Sequence, residues 1–108
     1  MIVTSCVKIC NMPYITINDA DLYYQVHGDD QPGRAPIVLI HGSTIDSHTD
    51  WDALIPALSQ QYQVFALDCR GHGKSNNPHG SYSFKELADD IAAFVRALGY
   101  EKAHIIGH

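Results

Sequence analysis

The stretch VFALDCRGHGKS, residues 64–75, joins a short apolar run to a glycine-bearing loop that ends in Gly-Lys-Ser. This ending suggests a phosphate-binding P-loop, which reads G-x-x-x-x-G-K-[ST] between a strand and a helix. That pattern needs a glycine at position 68, where the chain has Asp68, and a helix after Ser75, where NNPHGS has the composition of a turn. The dinucleotide pattern G-x-G-x-x-G also fails, because Asn76 stands in place of its third glycine. The stretch is therefore not a nucleotide site.

The apolar start of this stretch belongs to YQVFALD (62–68), which predicts a buried strand. IVLI at 37–40 predicts another strand, buried on both faces of a parallel sheet. Upstream, YITI (14–17) and LYYQVHG (22–28) are rich in β-branched and aromatic residues. They flank the turn sequence NDAD, so they predict a hairpin. KAHIIGH (102–108) begins a further strand.

Two stretches between these strands have helical spacing. WDALIPALSQ (51–60) includes Trp51, interpreted as a core residue, and Pro56, which requires that the helix either kinks or begins near Asp52. The second helix is bounded by the capping box of Ser83 and Glu86 and by a terminating glycine at position 99. Its apolar residues are predicted to form one buried stripe of Phe84, Leu87, Ile91, Val95 and Leu98.

The resulting order of hairpin, β, α, β, α, β predicts an α/β fold with a mainly parallel sheet and right-handed crossovers. In such sheets, sites form in the loops beyond the carboxyl ends of the strands. Three stretches occupy that position here, namely HGS (41–43), DCRGHGKS (68–75) and GH (107–108).

Composition excludes several classes of function. The chain has 108 residues, enough for one small domain, and a net charge of −5, which argues against a general nucleic-acid binder. No apolar stretch has the length of a membrane span. Three cysteines without a C-x-x-C pair fit a reducing, cytoplasmic compartment. Residues 1–11 are expected to be an unstructured extension, and residues 12–108 the domain.

Polar side chains outside the glycine loops have ordinary interpretations. His104 and His108 have the spacing of a helical metal pair, but the pattern around them is that of a strand, so no metal or cofactor is expected. The acidic pair at positions 89 and 90 is interpreted as part of a solvated outer helix face, and the pair at 29 and 30 as a solvated loop. Arg70 and Asp68 are interpreted as holding their loop, and Cys69 as a small packed residue.

Several of these features together carry a family resemblance. They are IVLIHGS, a Trp at the first crossover helix, D-x-R-G-x-G-x-S in VFALDCRGHGKS, the capped helix, and HIIGH leading towards a G-x-S-x-G elbow. From about Tyr14 to His108, the chain resembles the N-terminal part of an α/β-hydrolase-fold protein of the serine hydrolase type. The resemblance implies a truncated α/β-hydrolase fold of about five strands in the order 1-2-4-3-5, cut off at the nucleophile elbow.

The resemblance also implies roles for residues. The backbone N–H of Ser43 would be one donor of the oxyanion hole, with Gly42 letting the backbone approach. Gly107 and His108 would be the first two positions of the elbow, so that the nucleophile would be the next residue and no catalytic group would lie within the chain. Residues with a supporting role in the loops would be His41, Asp68, Arg70, Gly71, Gly73 and Ser75.

The implied activity is hydrolysis of ester, lactone or related acyl bonds in a small molecule by a serine nucleophile. An aspartate nucleophile would instead indicate an epoxide hydrolase or a dehalogenase. Such relatives usually carry Pro after H-G-x, and here Thr44 follows Ser43. A third hypothesis is a non-catalytic remnant or complementing fragment that acts as a binding module. The chain alone is expected to be inactive and to expose the strand at 103–107, through which it could self-associate.

Overall fold

Five strands and two helices lie in the part of the chain that the computed structural model describes, which is residues 14–42, 51–80 and 83–107. The strands are β1 (Tyr14–Ile17), β2 (Ala20–His27), β3 (Ile37–Ile40), β4 (Val64–Leu67) and β5 (His104–Gly107). The helices are α1 (Ile55–Leu58) and α2 (Phe84–Ala97). Within these residues, no helix is long and apolar enough to cross a membrane.

The strands form one sheet in the order β1-β2-β4-β3-β5, which confirms the order 1-2-4-3-5. The hairpin strand β2 pairs antiparallel with both β1 and β4, whereas β4, β3 and β5 are parallel. In the register of the parallel strands, Ile40 at the end of β3 is level with Leu67 of β4 and with Gly107 of β5. The loops that follow these three strands therefore start at the same level of the same sheet edge.

The predicted hairpin is confirmed, and its turn consists of Asn18 and Asp19. Both residues have positive φ angles, 49° and 68°. Two consecutive residues with positive φ give a turn whose twist matches that of the flanking strands, and Asn and Asp tolerate this conformation well.

The central strands are buried on both faces, as the apolar runs predicted. All four residues of β4 are buried. Phe65 and Leu67 point into a core formed with β1, β2 and α2, whereas Val64 and Ala66 point into a second core that includes Trp51 and Ile55. The interpretation of Trp51 as a core residue is confirmed, because only 6% of its surface is exposed.

Helix α2 begins and ends where its caps predicted. The Ser83 hydroxyl accepts a hydrogen bond from the Glu86 N–H at 3.1 Å. After the helix, Gly99 has a φ of 93°, its N–H donates to the Arg96 carbonyl, and the next N–H, of Tyr100, donates to the Val95 carbonyl. This pair of bonds is a Schellman motif, which satisfies carbonyls that the helix leaves without partners.

The predicted buried stripe of α2 is wrong at its first residue. Phe84 is 89% exposed, and Phe94, which the stripe omitted, is fully buried against Tyr24 and Phe65. Val95 is buried, while Leu87, Ile91 and Leu98 are partly buried. An apolar side chain is buried only where another layer lies against it, and the first turn of α2 has no such cover among the described residues.

The first crossover helix is shorter than its apolar spacing indicated. α1 covers only Ile55–Leu58, and Pro56 lies in its first turn. Proline is tolerated there because the N–H groups of the first turn have no partner within a helix. The helix thus begins three residues after Asp52, and residues 52–54 form a turn before it.

Candidate active site

The side chain of His41 joins the loop after β3 to the loop after β4. Its imidazole is 6% exposed, and its Nε2 accepts a hydrogen bond from the Cys69 N–H at 2.9 Å. Because Nε2 is the acceptor, the proton of the neutral ring is on Nδ1, which donates to the Gly42 carbonyl at 2.6 Å. Both ring nitrogens of His41 are therefore hydrogen-bonded to backbone groups. We call residues 41 and 42 the β3 loop and residues 68–75 the β4 loop.

Tight internal turns form the β4 loop. The His72 N–H donates to the Cys69 carbonyl at 3.0 Å, and the Ser75 N–H donates to the His72 carbonyl at 2.9 Å. Gly71 and Gly73 have φ angles of 75° and 52°, values that favour glycine. The glycines that imitate a P-loop in the sequence thus allow the chain to turn twice within a few residues.

Two residues of the β4 loop close it and attach it to the sheet. The Ser75 hydroxyl donates to the Asp68 carbonyl at 2.5 Å and accepts from the Tyr23 N–H at 2.8 Å. The Asp68 carboxylate accepts from the Lys74 N–H at 3.1 Å, and the Asp68 N–H donates to the Tyr23 carbonyl at 2.9 Å. These bonds continue the pairing of β2 with β4 past the end of β4, so the loop is held against the sheet.

Arg70 forms a buried ion pair with Asp90 of α2. Its Nε and one terminal nitrogen contact the two carboxylate oxygens at 2.7 and 3.0 Å, and each side chain is about 3% exposed. The hydrogen bond to Asp90 raises the pKa of the Arg70 guanidinium. The interpretation of Asp90 as part of a solvated helix face is therefore wrong, whereas Asp89 is exposed and pairs with Lys85 at 2.9 Å.

Sequence patterns did not reveal the role of Asp90, because its partner Arg70 is 20 residues away in the chain. The sequence nevertheless contained an indication that Asp90 has a buried partner. Asp90 lies one helical turn before Phe94, on the face that the fold buries, and a buried carboxylate requires a cation or several hydrogen bonds. The predicted glycine loop offered one candidate cation, Arg70.

Burial makes Cys69 unreactive. Its side chain is 6% exposed, and desolvation, with smaller effects from the carboxylates of Asp68 and Asp90, raises the pKa of the thiol to about 11. The thiol therefore stays protonated near neutral pH, and a protonated thiol is a poor nucleophile. This agrees with the interpretation of Cys69 as a packed residue.

The structure brings most of the predicted site residues to one edge of the sheet. The rings of His41 and His72 lie 5.0 Å apart, and Gly107 ends β5 level with the residue before His41. Ser43 and His108 lie outside the described residues, as do the predicted extension 1–11 and positions 12–13, 44–50 and 81–82. In the ranges that the structure does describe, no group of three or more His, Cys, Asp and Glu side chains is placed to hold a metal ion.

Comparison with known proteins agrees with this geometry. The family model described as the alpha/beta hydrolase fold matches residues 35–108, which include β3, β4, α2 and β5. This chain belongs to the α/β-hydrolase family. The match contains both loops and extends to the end of the printed sequence.

Relatives in the α/β-hydrolase family differ in the bonds that their names say they cleave. RutD of Azorhizobium caulinodans, a carbamate hydrolase by name, is 37% identical over 97 residues, which are 90% of this chain and 35% of RutD. The soluble epoxide hydrolase of Corynebacterium sp. is 38% identical over 85 residues, 79% of this chain and 29% of that protein. The crystal structure of the enol-lactonase from Burkholderia xenovorans matches with a TM-score of 0.79 and 33% identity, covering 88% of this chain and 36% of the lactonase. The chain thus spans about a third of the length of these relatives.

Proposed function

We propose that this chain supplies the amino-terminal part of a hydrolase that cleaves ester, lactone or related acyl bonds of a small molecule through a serine nucleophile. In this proposal, the nucleophile is the residue after His108, and the acid and base follow later in the polypeptide. Relatives named as a carbamate hydrolase and an enol-lactonase support a reaction at an acyl carbon. This chain covers 35% of RutD and 36% of the lactonase. This coverage supports a catalytic unit that includes further residues.

The observation that carries the proposal is the common level of the three parallel strand ends. Ile40 pairs in register with both Leu67 and Gly107, so the chain leaving β5 starts beside the β3 loop. A nucleophile two residues after Gly107 would be within reach of N–H groups in the segment that begins with Gly42. Such donors stabilise the oxyanion that forms when an acyl carbon is attacked, and we assign one of them to the N–H of Ser43.

His41 does not act as the general base in this proposal. A base must accept a proton from the nucleophile, but Nε2 of His41 accepts from the Cys69 N–H and Nδ1 donates to the Gly42 carbonyl. His41 instead fixes the spacing between the β3 and β4 loops. In this proposal, the general base is a residue that follows His108 in the complete polypeptide.

An aspartate nucleophile is the alternative that a specific relative favours. The epoxide hydrolase of Corynebacterium sp. is 38% identical over 85 residues. Against this alternative, Thr44 occupies the position where the family resemblance implies proline for relatives with an aspartate nucleophile. The two nucleophiles differ in where the oxygen of water is incorporated. An acyl-serine ester is hydrolysed at the acyl carbon of the substrate, so this oxygen leaves in the product acid, whereas an alkyl ester of aspartate is hydrolysed at the aspartate carbonyl, so it stays in the enzyme carboxylate.

The test uses the complete polypeptide that carries these residues. It is treated with a fluorophosphonate, digested, and analysed by mass spectrometry, and p-nitrophenyl acetate hydrolysis is followed in parallel. We expect the adduct on the residue after His108, and we expect its replacement by alanine to abolish hydrolysis. Ser59→Ala is the matched control, since this serine follows α1 near Gly28, at the opposite edge of the sheet.

Three outcomes would contradict the serine proposal. An adduct at another residue would move the active site away from β5. Single turnover in ¹⁸O-water that labels a carboxylate after His108 would establish the aspartate alternative. A folded protein with neither adduct nor turnover would favour the hypothesis of a non-catalytic binding module.

A further inference from the structure

We propose that Asp90 of α2 is a positioning residue for the β3 loop, acting through Arg70, the β4 loop and His41. The proposal rests on the proposed function, because it gives Asp90 a part in placing the oxyanion donors. It extends that function to a helix residue whose carboxylate lies in a buried contact with Arg70.

The first step is the contact between α2 and the β4 loop. The guanidinium of Arg70 binds both oxygens of Asp90 and also donates to the Asn18 carbonyl at 3.2 Å. The amide of Asn18 in turn donates to Asp90 at 3.1 Å. A bidentate Arg–carboxylate pair constrains orientation as well as distance. Asp90 therefore holds Arg70 in one orientation between the hairpin turn and the helix.

The second step is the way the β4 loop is held in place. Ser75 and Asn76 attach the far end of this loop to β2, by bonds to Tyr23 and Asp21. The middle of the loop is held to α2 by the Arg70 side chain. The Arg70 carbonyl accepts a hydrogen bond from Nδ1 of His72 at 3.0 Å, so fixing Arg70 also fixes the His72 ring.

The third step crosses from the β4 loop to the β3 loop. The N–H of Cys69, which directly precedes Arg70, donates to Nε2 of His41, and the His72 ring lies 5.0 Å from the His41 ring. Nδ1 of His41 then donates to the Gly42 carbonyl. The positions of Cys69 and His72 thus determine the orientation of the His41 ring. Through its bond to the Gly42 carbonyl, this ring orients the peptide group that precedes the proposed oxyanion donors. Displacement of catalytic groups by about 1 Å can lower turnover by about a hundredfold.

The experiment compares Asp90→Asn with Asp89→Asn in the complete polypeptide. The two changes are chemically identical and lie on adjacent residues, but Asp89 is 56% exposed and pairs with Lys85. Turnover of p-nitrophenyl acetate is expressed per active site, counted by fluorophosphonate titration. The ¹⁵N shifts of the His41 imidazole report independently whether Nδ1 carries the proton.

We expect Asp90→Asn to lower turnover per titrated site by about tenfold to a hundredfold and to remove the Nδ1-protonated signature of His41, while Asp89→Asn changes neither. A purely structural role would lower the number of titrated sites at unchanged turnover per site. A folded Asp90→Asn protein with wild-type turnover and an unchanged His41 signature would overturn the proposal. If the wild-type protein hydrolyses no ester, the proposed function fails, and the His41 signature still decides the role of Asp90.

Asp90→Asn removes the carboxylate that binds the buried Arg70 guanidinium and leaves it with the longer ion pair to Glu86 at 4.0 Å, a loss that can prevent folding. The second variant is therefore the double substitution Arg70→Met/Asp90→Leu, in which both charges are replaced by apolar side chains of similar size. Such replacements of buried ion pairs are often neutral or stabilising. We expect the double variant to fold and to show the same loss of turnover per site. Wild-type turnover and an unchanged His41 signature in this variant would also overturn the proposal.

Discussion

Replacing Phe94 with alanine is expected to destabilise the fold far more than the same replacement at Phe84, ten residues earlier on α2. The Phe94 ring is fully buried and meets the rings of Tyr24 and Phe65 edge-on, at centroid distances of 5.2 and 6.2 Å. Truncating a buried Phe to Ala costs about 3–5 kcal/mol, through lost transfer free energy and the cavity that remains. Phe84 is 89% exposed, so its truncation should change the free energy of unfolding by less than about 0.5 kcal/mol.

Urea unfolding followed by circular dichroism of the helices, in dilute solution, measures both variants. A small domain loses about 1.5–2 kcal/mol of stability per molar urea, so Phe94→Ala should lower the midpoint by about 1.5–3.3 M and Phe84→Ala by less than about 0.5 M. The loss at Phe94 is a large part of a domain's usual margin of about 5–15 kcal/mol. Equal midpoint shifts would refute the packing of α2 described above and would support the stripe that begins at Phe84.

Three further predictions concern β5, Cys69 and the isolated chain. We expect the 108-residue chain to self-associate through residues 103–107, because Ile105 and Ile106 are 49% and 36% exposed on a strand at the sheet edge. Ile105→Lys should lower the sedimenting mass, and an unchanged mass would contradict this surface. The pKa of Cys69 is raised from 9.0 to about 11, so the unfolded thiol loses its proton first and stability should fall between these pH values. The free energy of unfolding should fall by about 2.7 kcal/mol at most, since one pKa unit is about 1.36 kcal/mol. The Cys69→Ala variant should not show this fall. A wild-type pH dependence of stability in that variant would contradict the assignment to the Cys69 thiol. The isolated chain should hydrolyse p-nitrophenyl acetate no faster than a buffer-plus-protein control, whereas saturable turnover would show that catalytic groups lie within it.

Local patterns in the sequence were sufficient for the elements and for their caps. Short apolar runs predicted β3 and β4, because a strand covered on both faces needs apolar residues at successive positions. The capping residues Ser83 and Gly99 act through bonds to neighbours only a few residues away, so their effect can be read from adjacent sequence. The sheet order did not come from local patterns. It was implied by the resemblance to the α/β-hydrolase fold, and the structure confirms it.

Partners that are distant in the sequence could not be predicted from such patterns. Helical periodicity identified the face of α2 that carries apolar residues, but it could not indicate how far along the helix the neighbouring layer extends. Phe84 is therefore exposed although it fits the period, and Phe94 is buried. The length of α1 was overestimated for a similar reason, because the apolar spacing of residues 51–60 is also satisfied by a turn followed by a short helix.

The sequence by itself determined the order of the strands and helices along the chain, the glycine turns after β4 and the position of both loops beyond strand ends. These features depend on backbone conformation and local hydrogen bonds, which residue type strongly constrains. Only the tertiary structure decided that Arg70 binds Asp90 and that His41 connects the β3 and β4 loops. The physical reason is that a buried charge or ring nitrogen takes its partner from whatever the fold brings within about 3 Å, and that proximity is created by sheet register and helix packing.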